Sequence, residues 1–117
     1  MVGFNIKMKK RKKAQKQLQE YLELLNNILV EAENEIQKSE NGVSIWREKE
    51  LKQIVIPEME ELKAYAIKGE MHYKYGICQR MLESTYLITD SMDGLDNTHL
   101  GIMIIKLQQL FNKIKPF

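Results

Sequence analysis

The chain has 117 residues, of which 44% are hydrophobic and 29% charged, and its formal net charge is only +2. This composition is typical of a single soluble globular domain. One cysteine excludes an internal disulfide, and the lack of any apolar run near ~20 residues excludes a membrane-spanning helix, so we expect a cytoplasmic protein.

The charge is distributed unevenly along the chain. Residues 1–17 carry seven bases and no acid, residues 18–65 carry eleven acids against five bases, and residues 66–117 carry six bases against five acids. We therefore expect a basic, flexible tail at residues 1–12 and one domain at residues 13–117, with an acidic first half and a near-neutral second half.

The clearest predicted helix covers about residues 13–40. Apolar side chains recur at three- and four-residue steps from Leu18 to Ile36, which is the period of a helix with one buried stripe. The pair Asn41-Gly42 predicts the end of this helix, because glycine readily takes the left-handed conformation that closes a helix.

A second helix is predicted from a cap at Ser44 to Gly69. Pro57 lies inside it, and we expect a kink or a break there, because proline removes a backbone donor and clashes with the preceding turn. Glu58, which follows, is either a buried carboxylate or, as the commoner alternative, a solvated acid in the first turn after the proline.

Two further helices complete the predicted fold. The third covers about residues 71–90, and the fourth follows a loop at Asp90–Asn97 and ends before Pro116. The candidate caps of the fourth helix are Asp96, Asn97 and Thr98. No stretch alternates as a strand would, so the sequence predicts an all-α fold, an antiparallel four-helix bundle with a break at Pro57 and a basic N-terminal tail.

No catalytic or metal-binding pattern is recognisable. A carboxylate-bridged metal site would need Glu-x-x-His pairs, but neither His72 nor His99 has a glutamate three positions before it. A calcium-loop alignment on Gly94 puts Leu100 where a bidentate glutamate is required. Cys78 lies on the apolar stripe of the third helix, which is typical of a small core residue rather than a nucleophile. We expect no enzyme activity, cofactor or metal.

An acidic face is predicted along the first two helices, and it is the first feature that suggests a function. A dense negative surface attracts basic partners and accelerates their association. The alternative is ordinary surface charge on two helices. The residues that we expect to bind a protein partner are Glu31, Glu33, Glu35, Glu48, Glu58, Glu60 and Glu61, on a face that also includes Glu40 and Glu50.

The basic run Lys7–Lys13 is the second such feature. It would neutralise phosphates and bind nucleic acid with strong salt dependence, or lie on an anionic membrane. The alternative is a solubilising, frayed end of the chain that happens to be rich in lysine. A third, smaller feature is Ile102 with Ile105, on the side of the fourth helix opposite its main stripe, where exposed side chains would allow a homodimer.

The second half of the chain contains the pattern Gln79-Arg-Met-Leu-Glu-Ser-Thr-Tyr-Leu-Ile-Thr-Asp-Ser91, followed by Leu100-Gly101 and Leu107-Gln-Gln-Leu110. Together with the size of the chain and its acidic helical face, this pattern resembles small all-helical immunity proteins of bacterial toxin systems such as contact-dependent growth inhibition. The resemblance implies a stoichiometric inhibitor that covers the active site or substrate surface of a cognate toxin. If that toxin is a nuclease, the glutamate-rich face would occupy its basic groove as a phosphate mimic. The basic tail departs from this picture, because such a groove would repel it unless the tail points away.

Overall fold

Every regular element in the described part of the chain is helical, which confirms the all-α prediction. The computed structural model describes residues 2–68 and 81–113, with side chains from residue 15 onwards. The elements are α1 (Val2–Glu40), α2 (Glu48–Glu50), a π-helical turn (Leu51–Val55), α3 (Ile56–Ile67), α4 (Glu83–Thr89), a 3-10 turn (Leu95–Asn97) and α5 (His99–Lys113). None of these described helices is long and apolar enough to cross a membrane.

Helix α1 has 39 residues, which corresponds to about 58 Å, and the longest dimension of the molecule is 61 Å. The helix begins at Val2 rather than near residue 13, so it includes the backbone of the basic tail. That residues 1–12 form a flexible unit separate from the domain stays a prediction.

The predicted end of α1 is confirmed. Gly42 has a φ of 73°, and its N–H donates to the carbonyl of Ser39 at 3.0 Å. The N–H of Val43 donates to the carbonyl of Lys38 at 2.9 Å, which completes a Schellman closure of the helix.

The segment from α2 to α3 is helical throughout, but its hydrogen-bond spacing changes before Pro57. The N–H of Ile56 donates to the carbonyl of Leu51, five residues earlier, which defines the π turn. Pro57 then occupies the first turn of α3, where its missing N–H costs least. The segment starts at Glu48 with no side-chain capping bond, so the prediction of Ser44 as its cap is wrong.

The core forms where α1 packs against both α3 and α5. One stripe of α1, one of the π turn with α3, and one of α5 supply most of it, together with Trp46 from the loop after α1. Its fully buried side chains include Tyr21, Leu25, Ile28, Ala32, Trp46, Leu51, Val55, Met59, Leu100, Ile104, Leu107 and Phe111. The apolar stripes predicted for the first and last helices therefore face the core, whereas the burial of Trp46 had no counterpart in the sequence prediction.

The third predicted helix, over about 71–90, is wrong in its extent. Residues 69–80 lie outside the described part of the chain, and Leu82 is extended, with φ −66° and ψ 149°, so α4 begins only at Glu83. Position 82 is a leucine, which cannot cap a helix with its side chain. The side chains that accept hydrogen bonds from the first turn of α4 come from other helices.

Helix α5 begins at the predicted place, with Thr98 as the cap among the three candidates. The Thr98 hydroxyl accepts from the N–H of Gly101 at 3.0 Å and donates to the carbonyl of Leu95 at 2.6 Å. Gly101 is required there, because a Cβ at this position would lie 1.9 Å from the Leu95 oxygen. The 3-10 turn therefore packs directly on the first turn of α5.

Candidate protein-binding surface

Glu58, one of the predicted partner-binding residues, is an interior capping residue. Its two carboxylate oxygens accept from the backbone N–H groups of Glu83 and Ser84, both at 2.8 Å, and its side chain is only 6% exposed. These are orphan donors at the start of α4, which has no cap of its own. The buried-carboxylate alternative is confirmed, and the solvated alternative is wrong.

Gln108 of α5 completes this tertiary cap. Its side-chain oxygen accepts from the N–H of Leu82 at 2.7 Å and from the hydroxyl of Thr85 at 2.9 Å. The first turn of α4 is therefore held from α3 and α5 at once. The Glu58 carboxylate is occupied by these internal bonds in the folded chain, and its role in partner binding stays a prediction.

Glu35 also belongs to the interior, being 7% exposed. Its carboxylate accepts from the hydroxyl of Ser44 and lies 3.4 Å from the Lys38 ammonium. The Ser44 hydroxyl in turn accepts from the N–H of Trp46 at 3.0 Å, and the Trp46 indole donates to the Thr98 hydroxyl at 3.1 Å. Glu35 thus helps to fix the loop after α1 to the start of α5, and its role in partner binding stays a prediction.

The other predicted glutamates remain at the surface. Glu33 and Glu60 are exposed, whereas Glu31, Glu48 and Glu61 are half-buried. These five stay candidate partner-binding residues.

Three carboxylates act on the charge of Lys52, namely Glu48 of α2, which is ion-paired with it, and Glu33 and Glu40 of α1; we call them the acidic cluster. The pKa of Lys52 is raised above its ordinary value of 10.5, first by a hydrogen bond and charge from Glu48, and further by the charges of Glu40 and Glu33. Lys52 is thus ion-paired with Glu48, while Glu33 and Glu40 are exposed carboxylates that act on it through charge alone.

A second negative surface lies on the other side of α2. A groove of about 520 Å³ is lined by the 41–47 loop, the α2–π segment, α4 and the loop after it; we call it the acidic groove. Its carboxylates are those of Glu50, Glu83, Asp90 and Asp93, against one base, Arg47, whose Nε lies 3.7 Å from Glu50. Exposed apolar side chains line the same groove, with Ile45 52%, Tyr86 49% and Met92 100% accessible.

The predicted apolar contact on the last helix is only half present. Ile102 is exposed and borders a second groove with the exposed Val30 of α1, whereas Ile105 is half-buried against the core. An apolar patch thus exists between α1 and α5, but it pairs Ile102 with Val30.

Several residues that the sequence singled out lie outside the described part of the chain. His72 and Cys78 fall in the undescribed segment 69–80, and the side chains of Lys7–Lys13 are not described. Within 2–68 and 81–113, no group of three or more His, Cys, Asp or Glu residues is arranged to hold a metal ion.

Sequence reasoning missed Gln108, Trp46 and the interior role of Glu35, and it gave the burial of Glu58 only as the less common alternative. One signal was available for Glu58, since on a straight helix it falls in the middle of the apolar stripe. Trp46, the only tryptophan of the chain, next to a likewise apolar Ile45, was a second signal of a buried loop.

Comparison with known proteins identifies no relative, since no family model, curated protein or solved structure matches this chain.

Proposed function

We propose that this chain is a binding protein without catalytic activity, whose acidic cluster recognises a basic protein partner. The observation that carries the proposal is the exposure of Glu33 and Glu40 on α1, beside the Glu48–Lys52 ion pair of the next helical segment. Charges at such a surface steer a basic partner into place and raise its association rate.

The specific form of the proposal is a cytoplasmic immunity protein of a bacterial toxin system. It rests on the resemblance of the Gln79–Ser91 pattern and of the acidic helical face. In this role the chain covers the basic nucleic-acid groove of a nuclease toxin, with the cluster carboxylates in place of phosphates. We take the scaffold to be the antiparallel four-helix bundle with a kink at Pro57.

Glu35 and Glu58 are unsuitable positions for testing this proposal by substitution. Both carboxylates accept hydrogen bonds from their own chain, so charge reversal at either would disturb folding before binding. Glu33 and Glu40 have no such role among the hydrogen bonds of the described residues and are suitable for substitution.

The test is binding of the protein encoded beside this chain, measured by calorimetry and by relief of its toxicity. We expect Glu33→Lys with Glu40→Lys to weaken binding by about 100-fold at low salt, because two attractions become repulsions. The matched control is Glu20→Lys with Glu23→Lys, which changes the net charge equally at exposed positions of α1 beside α5.

Two results would contradict the proposal. Equal weakening by the cluster and control pairs would show that only the net charge matters. Binding of DNA or RNA by the isolated chain, abolished by Lys9→Glu with Lys10→Glu, would instead support the alternative of a nucleic-acid accessory protein.

A further inference from the structure

The acidic groove has the features of an unoccupied docking site. Its apolar side chains come from two separate stretches of the chain, residues 45–54 and 83–95, so they form a surface rather than a single misplaced residue. Four carboxylates against one arginine surround them. An occupant must therefore combine apolar side chains with several positive charges.

The chain itself contains one segment with this chemistry. Residues 1–17 carry seven bases and no acid, and Val2, Phe4, Ile6 and Met8 precede or interrupt the basic run. No other stretch of the sequence has a comparable excess of basic residues.

This segment has no path to the groove of its own chain. Helix α1 is unbroken from Val2 to Glu40, about 58 Å, and the groove begins at Ile45, just beyond the C-terminal end of the helix. The basic end and the groove therefore lie at opposite ends of the molecule.

We infer that the acidic groove binds the N-terminal basic tail of a second copy of this chain. Because the tail and the groove lie at opposite ends, two copies related by a two-fold axis exchange tails reciprocally, and the contact closes as a dimer with both grooves filled. This inference is independent of the proposed partner. In such a dimer the positive tail lies against carboxylates, so the tail does not repel a basic partner that binds the acidic cluster.

Charge exchange between the two surfaces tests the inference, with sedimentation velocity of the full chain as the measurement. Asp90→Lys with Asp93→Lys, both at exposed positions, should raise the dimer dissociation constant on the order of 100-fold, and Lys9→Glu with Lys10→Glu should do the same. Combining all four substitutions in one chain should restore the dimer, because the attraction is rebuilt with the signs exchanged.

The apolar part of the contact has its own test. Met92→Ser removes a fully exposed side chain and leaves the core untouched, so a weaker dimer reports the groove itself. Val30→Ser with Ile102→Ser is the matched control on the α1–α5 patch and should leave the dimer unchanged. A wild-type chain that sediments as a monomer would overturn the inference, as would a dimer that only the Val30 and Ile102 substitutions weaken, or a four-fold variant that fails to recover.

Discussion

Two pairs of glutamates, each two residues apart in sequence, have opposite fates in this protein. Glu33 is exposed and Glu35 is buried on α1, while Glu58 is buried and Glu60 is exposed on α3. Each buried member accepts hydrogen bonds from a distant part of its own chain, whereas the exposed members face solvent. The glutamates of the first helices therefore fall into two groups. The buried ones stabilise the fold through internal hydrogen bonds, and the exposed ones are accessible to a partner.

The largest expected effect of breaking this division is at Glu58. Glu58→Ala leaves the buried N–H of Ser84 and the partly buried N–H of Glu83 without their acceptor, and we expect the free energy of unfolding to fall by about 3 kcal/mol. Urea unfolding followed by the fluorescence of Trp46 measures it. Glu60→Ala is the matched control and should change stability by less than ~0.5 kcal/mol. Similar losses from the two variants would show that Glu58 does not cap α4.

The next effect concerns the close approach of Gly101 to the carbonyl of Leu95, which Thr98 bridges by hydrogen bonds to both. Alanine normally favours a helix over glycine by ~1 kcal/mol, yet we expect Gly101→Ala to destabilise the protein by about 2 kcal/mol, because its Cβ would overlap the Leu95 carbonyl. Thermal unfolding by circular dichroism checks the sign. The control is Gly42→Ala, which has open space and loses only about 1 kcal/mol to its positive φ. A rise in melting temperature for Gly101→Ala would contradict the close approach.

A smaller effect is expected at Glu35. Glu35→Ala removes the charged acceptor of the Ser44 hydroxyl, and we expect a loss of about 1.5 kcal/mol in chemical unfolding. Glu33→Ala, two residues earlier and exposed, should lie within ~0.5 kcal/mol of wild type. If Glu33 proves the costlier of the two, the assignment of interior and exterior roles on α1 is reversed.

The smallest effect is a pH dependence at Lys52. Its pKa is raised in the folded state, so the corresponding stability is fully present below about pH 10.5 and is lost as the pH rises through the higher, folded-state pKa. Glu48→Gln removes the largest cause of the shift and should lower the pKa of Lys52, as measured by NMR titration of its side chain. An unchanged midpoint would show that Glu48 does not set the local potential.

Local signals predicted much of this fold. The apolar stripes of α1 and α5, the closure at Gly42 and the cap at Thr98 all depend on neighbours within a few residues. The start of α4 was not predictable in this way, because its acceptors come from Glu58 and Gln108, more than twenty residues away in each direction.

The candidate site, too, has features that the local sequence predicts and features that depend on distant residues. Which glutamates lie on the first two helices could be read from the sequence, but their burial depends on how α4 and the 41–47 loop pack, which no local pattern encodes. The acidic groove combines two stretches far apart in sequence, residues 45–54 and 83–95, so it also had no signature in the sequence.

The most direct test of the proposed binding role is the ionic-strength dependence of the association rate with the protein encoded beside this chain. Stopped-flow measurements should compare wild type with Glu33→Gln plus Glu40→Gln, which removes charge from the acidic cluster and leaves Glu35 and Glu58 in place. We expect a steep fall in rate with salt for wild type and a clearly shallower one for the variant. Identical salt dependence in the two proteins would contradict the assignment of partner recognition to the acidic cluster.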